Sequence, residues 1–499
     1  MKGKVYLVGA GPGDYKLITL KGLECIKKAD VIVYDNLVNK NLIKEARNSC
    51  EFIYVGKQSK NHTKTQDEIN EIITENAKGG KVVTRLKGGD PYVFGRGGEE
   101  GEFLRERGIE FEVVPGITSA IGGLCYAGIP ITHRDFASSF HVITGHLKDE
   151  DKELDWKNLA SLQGTLVFLM GVSNLQNICE NLIREGKDKS TPAAIINWAT
   201  TPKQKVVVGN LENIYSKAIS ENIKPPSLIV VGGVVGLRES LNFFEEKPLF
   251  GRNVVVTRAR AQSSSLVEKI SELGGNTIEF PTIKIEEITP NEELDREIGN
   301  LEKHTYLIFT SENGVEIFFK RLFELNFDSR KLCNLKVVAI GPATFNAIRK
   351  HGIIPDIMPE RFVGEAVVEE LKKTLTKEDK ILMPRASAAR DYLFEELSKI
   401  CEVVECKTYR TVKGEGDREE ILELLEKDKI DYITFTSSST VKNFIEIIGK
   451  ESLSKLSNVK LISIGPITSK TIGDFGLRVH KEAEEYTIDG VVKAIVNEE

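Results

Sequence analysis

Short runs of β-branched and aliphatic residues, each followed by an amphipathic stretch of helical period, recur through most of this 499-residue chain. KVYLVGAG, VIVYD, EFIYVGK and KVVTRL open it, and a helical segment ending at Ala29 lies between the first two. Strands spaced this way need crossover helices between them, which predicts parallel sheet and an α/β architecture. A second set, FHVITG, TLVFLM, AAIINWAT, KVVVGNL and SLIVVGG, is denser in strands and predicts another α/β lobe beginning near Pro115. The charged break FFEEKPLFGRN then separates two halves that each restart with a strand, so the main boundary is placed near Lys247. About 150 residues per domain gives roughly three domains for this length.

The second half contains an internal echo. YLIFTSENGVEIFF followed by LKVVAIGPATFNAI returns as YITFTSSSTVKNFI followed by VKLISIGPITSKTI, with nearly equal spacing. Two similar α/β lobes with a cleft between them are expected. Further strand-to-helix units begin at NVVVTRA and KILMPRA.

Composition narrows the function. Lys and Arg number 68 against 74 Asp and Glu, a formal charge of −6 with no basic block, which argues against nucleic acid or a membrane surface as the main partner. The longest apolar stretch, SLIVVGGVVGL, is far short of a bilayer span, and MKGKVYLVG leads into a strand with no signal-like apolar region, so a cytoplasmic protein is expected. The seven cysteines are dispersed and never spaced CxxC, which predicts buried reduced thiols. The histidines are equally scattered, and no metal site is expected.

GAGPGD (Gly9 to Asp14) follows the first strand, where a dinucleotide fold carries its fingerprint. Asp14 stands where a third glycine is needed, and Pro12 removes a backbone N–H that pyrophosphate would use. A less charged nucleotide-like ligand fits better. LKGGDPYVFGRGGEE (Leu86 to Glu100) and VVPGITSAIGG (Val113 to Gly123) add two more glycine-rich loops at strand ends, enough for a small-ligand crevice at one sheet edge.

These segments, with YDNLV, VGK, AGIPITHR, TGH, FLM and ATTPKQ in order, resemble the uroporphyrinogen-III C-methyltransferases of the tetrapyrrole methylase family across nearly all of residues 1–245. The resemblance implies transfer of methyl groups from S-adenosyl-L-methionine to ring carbons of uroporphyrinogen III, giving precorrin-2. It implies methyl-donor contacts at Pro12, Gly88, Gly89, Asp90, Val93, Thr118, Ser119, Met170 and Ala199, although position 199 is often glycine in the family. Asp35 resembles the family's proton acceptor and Lys57 its proton donor. A carboxylate and an ammonium at adjacent strand ends suit the management of a pyrrole proton. Asp35 capping its own turn is the plainer reading. Arg96 and Arg134 are candidates for substrate carboxylates; with Arg85 and Lys87 they otherwise form a solvated rim. His133, His141 and His146 fit a structural role as well as contact with substrate.

In the second half, the repeated TS and GPxT motifs lie at expected helix starts, where hydroxyls and backbone N–H groups either cap their helix or hold anions. Ser311, Thr344, Ser437 and Thr468 are the candidate substrate contacts. VVVTRA, FTSENGV, AIGPAT, LMPRASAARDYL, CKTYRT and FTSSSTV resemble uroporphyrinogen-III synthase. That resemblance implies a cofactor-free reaction in which hydroxymethylbilane loses water, cyclises and inverts its D ring. Tyr409 matches the family's recurrent tyrosine and would donate to the leaving hydroxyl; an aromatic that merely packs a strand end is the alternative.

Together the resemblances imply an α/β fold throughout: an N-terminal tetrapyrrole methylase fold of two lobes (about 1–114 and 115–245, within 1–247), and a C-terminal two-lobed synthase fold (248–499). The latter's lobes should be discontinuous, about 251–282 plus 413–499 against 283–412. The methylases are commonly dimeric, which extends to a homodimer here as an expectation. Rival readings are a methylase of another substrate, a C-terminal module that binds tetrapyrrole without turnover, and a nicotinamide oxidoreductase.

Overall fold

The structure, a computed structural model, describes residues 3–56, 64–145, 154–258, 260–388, 391–414 and 416–497. The chain divides into two compact units, Met1–Asn253 with Lys269–Asn276, and Val254–Glu268 with Thr277–Glu499.

The first unit holds two sheets. Strands β1 (Lys4–Gly9), β2 (Val31–Tyr34), β3 (Glu51–Tyr54), β4 (Val82–Lys87) and β5 (Glu110–Val114) form a wholly parallel sheet in the order β3-β2-β4-β1-β5. Its central strands β2, β4 and β1 are largely buried on both faces. Val8, Ile32 and Leu86 pack on Cys25 and Ile26 of the helix Leu20–Lys28, while Val5, Leu7, Val31 and Val33 pack on Ile69 and Ile73 of the helix Gln66–Lys78. Thr65 and Glu68 begin the latter helix with a reciprocal capping box.

Strands β6 (Phe140–Thr144), β7 (Thr165–Leu169), β8 (Pro192–Asn197), β9 (Lys205–Asn210) and β10 (Ser227–Val231) form the second sheet, in the order β6-β7-β10-β8-β9. Only β6 and β7 run parallel; the remaining pairs are antiparallel, and of these β8 and β9 are joined by a short connection. The helix Ser119–Tyr126 places Ala120 and Leu124 in one of this sheet's cores.

The second unit also has two sheets. Its strands are β11 (Asn253–Val256), β12 (Asn276–Glu279), β13 (Ile283–Glu287), β14 (Tyr306–Phe309), β15 (Lys336–Ala339), β16 (Lys380–Ala386), β17 (Glu402–Lys413), β18 (Tyr432–Phe435), β19 (Lys460–Ser463) and β20 (Lys481–Glu482). The orders are β12-β11-β18-β19-β20 and β13-β17-β16-β14-β15, so one sheet is built from both ends of the segment. The echoed motifs sit alike: YLIF is β14 beside parallel β15, and YITF is β18 beside parallel β19. The two passages between the sheets run side by side. Gly414 N–H donates to Thr282 O at 2.9 Å, and a Cβ on Gly414 would fall 2.1 Å from Pro281 O.

Five cysteines are buried, but Cys125 and Cys333 are exposed, which corrects the expectation of uniformly buried thiols. Cys125 lies in the helix Ser119–Tyr126, one residue beyond the inward-facing Leu124, and so points outward. Among the described residues no helix is long and apolar enough to cross a membrane, and no group of three or more His, Cys, Asp or Glu is placed to hold a metal.

Candidate functional site

The parallel sheet aligns the ends of four strands. Gly9 pairs with Lys87, and Tyr34 pairs with both Leu86 and Tyr54, so the following residues emerge at one edge. There the three glycine-rich loops interlock. Gly11 and Gly89 exchange backbone hydrogen bonds of 3.2 and 2.7 Å, both with left-handed φ (79° and 70°). A Cβ on Gly9 would lie 2.5 Å from Gly116 Cα, and one on Gly116 would lie 2.4 Å from Gly89 O. The Asp90 carboxylate fastens the second loop to the third: Oδ1 accepts Tyr92 N–H at 2.7 Å and Val93 N–H at 3.2 Å, and Oδ2 accepts Gly116 N–H at 2.9 Å.

Neighbouring loops complete the rim. A Cβ on Gly88 would meet Leu37 at 2.7 Å, one on Gly122 would meet Pro12 at 2.9 Å, and one on Gly123 would meet Ala199 at 2.9 Å. Thr118 caps the helix Ser119–Tyr126, and its Cα stands 3.8 Å from a Cβ built on Gly89. Pro12, Gly88, Gly89, Asp90, Val93, Thr118, Ser119 and Ala199 are therefore brought to one edge. Asp14, which stands where the dinucleotide fingerprint needs a third glycine, accepts from the Tyr126 hydroxyl at 2.8 Å and from Lys16 N–H at 2.9 Å. Met170 follows β7 with a left-handed φ of 57° and is 53% exposed, unlike the core residue its apolar strand suggests. Trp198 and Thr200, beside Ala199, are also left-handed. Strained non-glycine backbone of this kind gathers at functional loops.

Asp35 follows β2 and is about a quarter exposed. Its Oδ1 accepts Leu37 N–H at 3.1 Å, the turn cap of the plainer reading, while Oδ2 lies 3.4 Å from Arg85 Nη2. Burial, then the Asp35 charge, pushes the Tyr54 phenol above its ordinary value. Lys57 lies outside the described residues, as does His146. The solvated-rim reading of Arg85 and Lys87 is corrected: both are buried, with Lys87 Nζ 2.7 Å and Arg85 Nε 3.3 Å from Oε1 of the buried Glu100. Burial, then the neighbouring Arg85 charge, lowers the Lys87 ammonium from its ordinary value despite that ion pair. Arg96 is exposed, left-handed, and pairs with Glu99 at 2.6 Å; Arg134 is exposed in a turn bridged by His133 and Ala137.

In the second unit Ser311 and Ser437 cap the helices Glu312–Glu324 and Ser438–Ile448, so their hydroxyls are engaged locally. Thr344 and Thr468, expected at the cleft, are buried. The reason is helical period: Thr344, Ala347 and Ile348 share the inward face of the helix Pro342–Lys350, as Thr468, Thr471 and Ile472 do in Pro466–Asp474. These two helices start at Gly341 and Gly465 with no side-chain cap. Tyr409, also buried, reaches Ser311 Oγ with its hydroxyl at 2.9 Å, beside a register shift where β16 meets β17. Arg258, not singled out from sequence, follows β11; burial lowers its guanidinium from the ordinary value and Glu312 opposes the shift.

Known proteins are similar to both halves. Residues 4–215 match the model of the Tetrapyrrole (Corrin/Porphyrin) Methylases, and residues 264–493 that of Uroporphyrinogen-III synthase HemD. The porphyrin biosynthesis protein HemD of Ruminiclostridium josui is 40% identical over 496 residues, which span 99% of this chain and 98% of that protein. A uroporphyrinogen-III C-methyltransferase of Bacillus subtilis (strain 168) is 52% identical over 246 residues, 49% of this chain and 96% of that enzyme. The crystal structure of the uroporphyrin III C-methyltransferase of Thermus thermophilus, 41% identical, covers 47% of this chain and 100% of its own, with a TM-score of 0.41. With one relative matched from end to end and a family model on each half, the chain belongs to the tetrapyrrole methylases through its first half and to the uroporphyrinogen-III synthase HemD family through its second.

Proposed function

We propose that the chain carries out two consecutive steps of tetrapyrrole biosynthesis: it cyclises hydroxymethylbilane to uroporphyrinogen III and methylates that ring twice to give precorrin-2. The observation that carries the reading is the fusion itself, matched over 98% of one relative, with the product of one half being the substrate of the other. A cytoplasmic enzyme, dimeric through its first half, is the accompanying reading, carried by the family resemblance alone.

The methyl donor is S-adenosylmethionine, which supplies an electrophilic methyl group when bound. The loops fit such a ligand better than a dinucleotide. Gly9 and Gly116 let the three loop backbones close on one another, and Pro12 offers no N–H to a phosphate. Backbone of the three loops orients the donor, and Asp90 holds the second and third together. One proton must leave the ring for each methyl group it gains, and Asp35 would accept it; Lys57 would protonate the macrocycle only where a second ring proton is given up in the accompanying tautomerisation. Arg96 and Arg134 receive substrate carboxylates at the rim.

In the synthase half Tyr409 donates a proton to the departing hydroxyl, and the capped helix starts at Ser311 and Ser437, with the open ones at Gly341 and Gly465, hold carboxylates. Folding the bilane so that the inverted closure outruns the simple one is the main task, one of positioning. No cofactor enters this step. The test is the full chain incubated with hydroxymethylbilane and S-adenosylmethionine, with products read by mass spectrometry and isomer analysis. Precorrin-2 is expected; type I ring alone overturns the synthase assignment, and unmethylated type III ring overturns the methylase assignment.

A further inference from the structure

The second glycine loop is bracketed by charges that do not face solvent. Arg85 and Lys87 lie two residues apart on β4 and so share a face. That face looks onto the helix Gly97–Glu106, which begins where the loop ends and carries Glu100. Arg85 is 4% exposed, Lys87 5% and Glu100 1%. Oε1 of Glu100 takes Lys87 Nζ at 2.7 Å, Gln66 Nε2 at 3.1 Å and Arg85 Nε at 3.3 Å, whereas its buried Oε2 has no hydrogen-bond partner. Charges this deep are costly to desolvate and persist where the geometry serves a purpose.

The guanidinium points the other way to its second acid. Arg85 Nη1 donates to Leu86 O at 3.0 Å and Val33 O at 3.3 Å, which fixes the plane, and Nη2 lies 3.4 Å from Asp35 Oδ2. One rigid fork thus spans an acid sealed in the core and an acid at the crevice. Among the described residues, the other titratable groups facing Asp35 are Tyr54, from β3, and the Lys87 ammonium.

We propose that Arg85 is the positioning residue for Asp35: its fixed guanidinium holds that carboxylate aimed at the crevice, while Glu100 anchors the guanidinium from behind. The inference rests on the reading of Asp35 as proton acceptor. A flexible ammonium at position 85 would supply the charge without the fork, and a neutral amide would supply neither.

The experiment is the pH–rate profile of methyl transfer in the full chain, with supplied uroporphyrinogen III and S-adenosylmethionine, for wild type, Arg85→Gln, Arg85→Lys and Asp35→Asn. Cyclisation of hydroxymethylbilane serves as an internal control. With Arg85→Gln, kcat should fall about 10-fold or more and the acid limb should move up by about one pH unit, since a cation 3.4 Å from the carboxylate is removed. Arg85→Lys should return the limb toward its wild-type position while kcat stays reduced, and it alone decides the matter if Arg85→Gln does not fold. A uniform loss of rate with an unmoved limb in Arg85→Gln, or an Arg85→Lys limb displaced as far as in Arg85→Gln, overturns the inference. When Arg85→Lys stands alone, a limb displaced by about one unit or a full wild-type kcat does the same. Retained methylation in Asp35→Asn overturns the reading of Asp35 and this inference with it. Lost methylation there, with no response at Arg85, overturns the inference alone.

Discussion

The Tyr409 hydroxyl lies 2.9 Å from Ser311 Oγ, joining a strand to the cap of a helix through one pair of hydroxyls. Ser311 Oγ already accepts Gly314 N–H at 3.1 Å. Its own proton is therefore available to the phenol oxygen, which leaves the phenolic proton for a leaving group.

Tyr409→Phe is expected to slow cyclisation of hydroxymethylbilane by about 10-fold or more, the cost of losing one hydrogen bond to developing charge. Ser311→Ala should show a smaller effect in the same direction. Methylation of supplied uroporphyrinogen III should be unchanged in both, because that chemistry is assigned to the other half. Stopped-flow assays of ring closure with and without the methyl donor check this; Tyr409→Phe with wild-type closure would remove the proton-donor role.

Gly116→Ala is expected to open the loop junction. The added Cβ would meet Gly89 O at 2.4 Å and Gly9 Cα at 2.6 Å, all backbone, so whole loops must shift. Overpacking of this kind costs about 1–3 kcal/mol. Binding of S-adenosylhomocysteine, measured calorimetrically, should weaken at least tenfold, while Gly98→Ala, whose Cβ would meet nothing within 4 Å, should bind normally.

Asp90→Ala is expected to free Tyr92, Val93 and Gly116 N–H groups together. Loss of such a shared acceptor costs about 1–3 kcal/mol. Hydrogen exchange at these three amides should speed up, and methyl-donor affinity should fall with it. Protection at Gly116 equal to wild type would show that the third loop does not depend on this carboxylate.

Burial pushes the Cys179 thiol to about 11 and the Cys406 thiol to about 12, from an ordinary 9.0. Between 9.0 and those values the unfolded chain has released protons that the folded chain keeps, so stability falls as pH rises through that window. The loss from Cys179 alone amounts to about 3 kcal/mol across it, and Cys179→Ala should flatten the alkaline limb of a denaturation series by that amount. A thiol reagent on the native protein should label the exposed Cys125 and Cys333 first, as read by intact mass.

The loops were legible in the sequence because glycine, proline and strand ends are local signals. Gly9, Gly89 and Gly116 stand in three separate motifs, and the parallel register alone brings them together. The charged cluster was not legible. Positions 85 and 87 on an alternating strand look like a solvent face, and only the fold shows that the helix bearing Glu100 covers it. Thr344 and Thr468 failed differently: a motif two residues past a helix start suggested an open hydroxyl, whereas the spacing 344, 347, 348 already marks an inward stripe. Met170 went the other way, since its left-handed backbone turns a side chain out of an apolar run that reads as core.

The two passages between the sheets of the second unit touch at Thr282 and Gly414 through backbone atoms. That bond extends the antiparallel ladder of β13 and β17, which begins beside it at Ile283 and Lys413, so the two passages are held as a paired ribbon. Sliding one passage along the other would break the register of that ladder, and with it the pairing that runs from Ile283–Lys413 to Glu287–Tyr409.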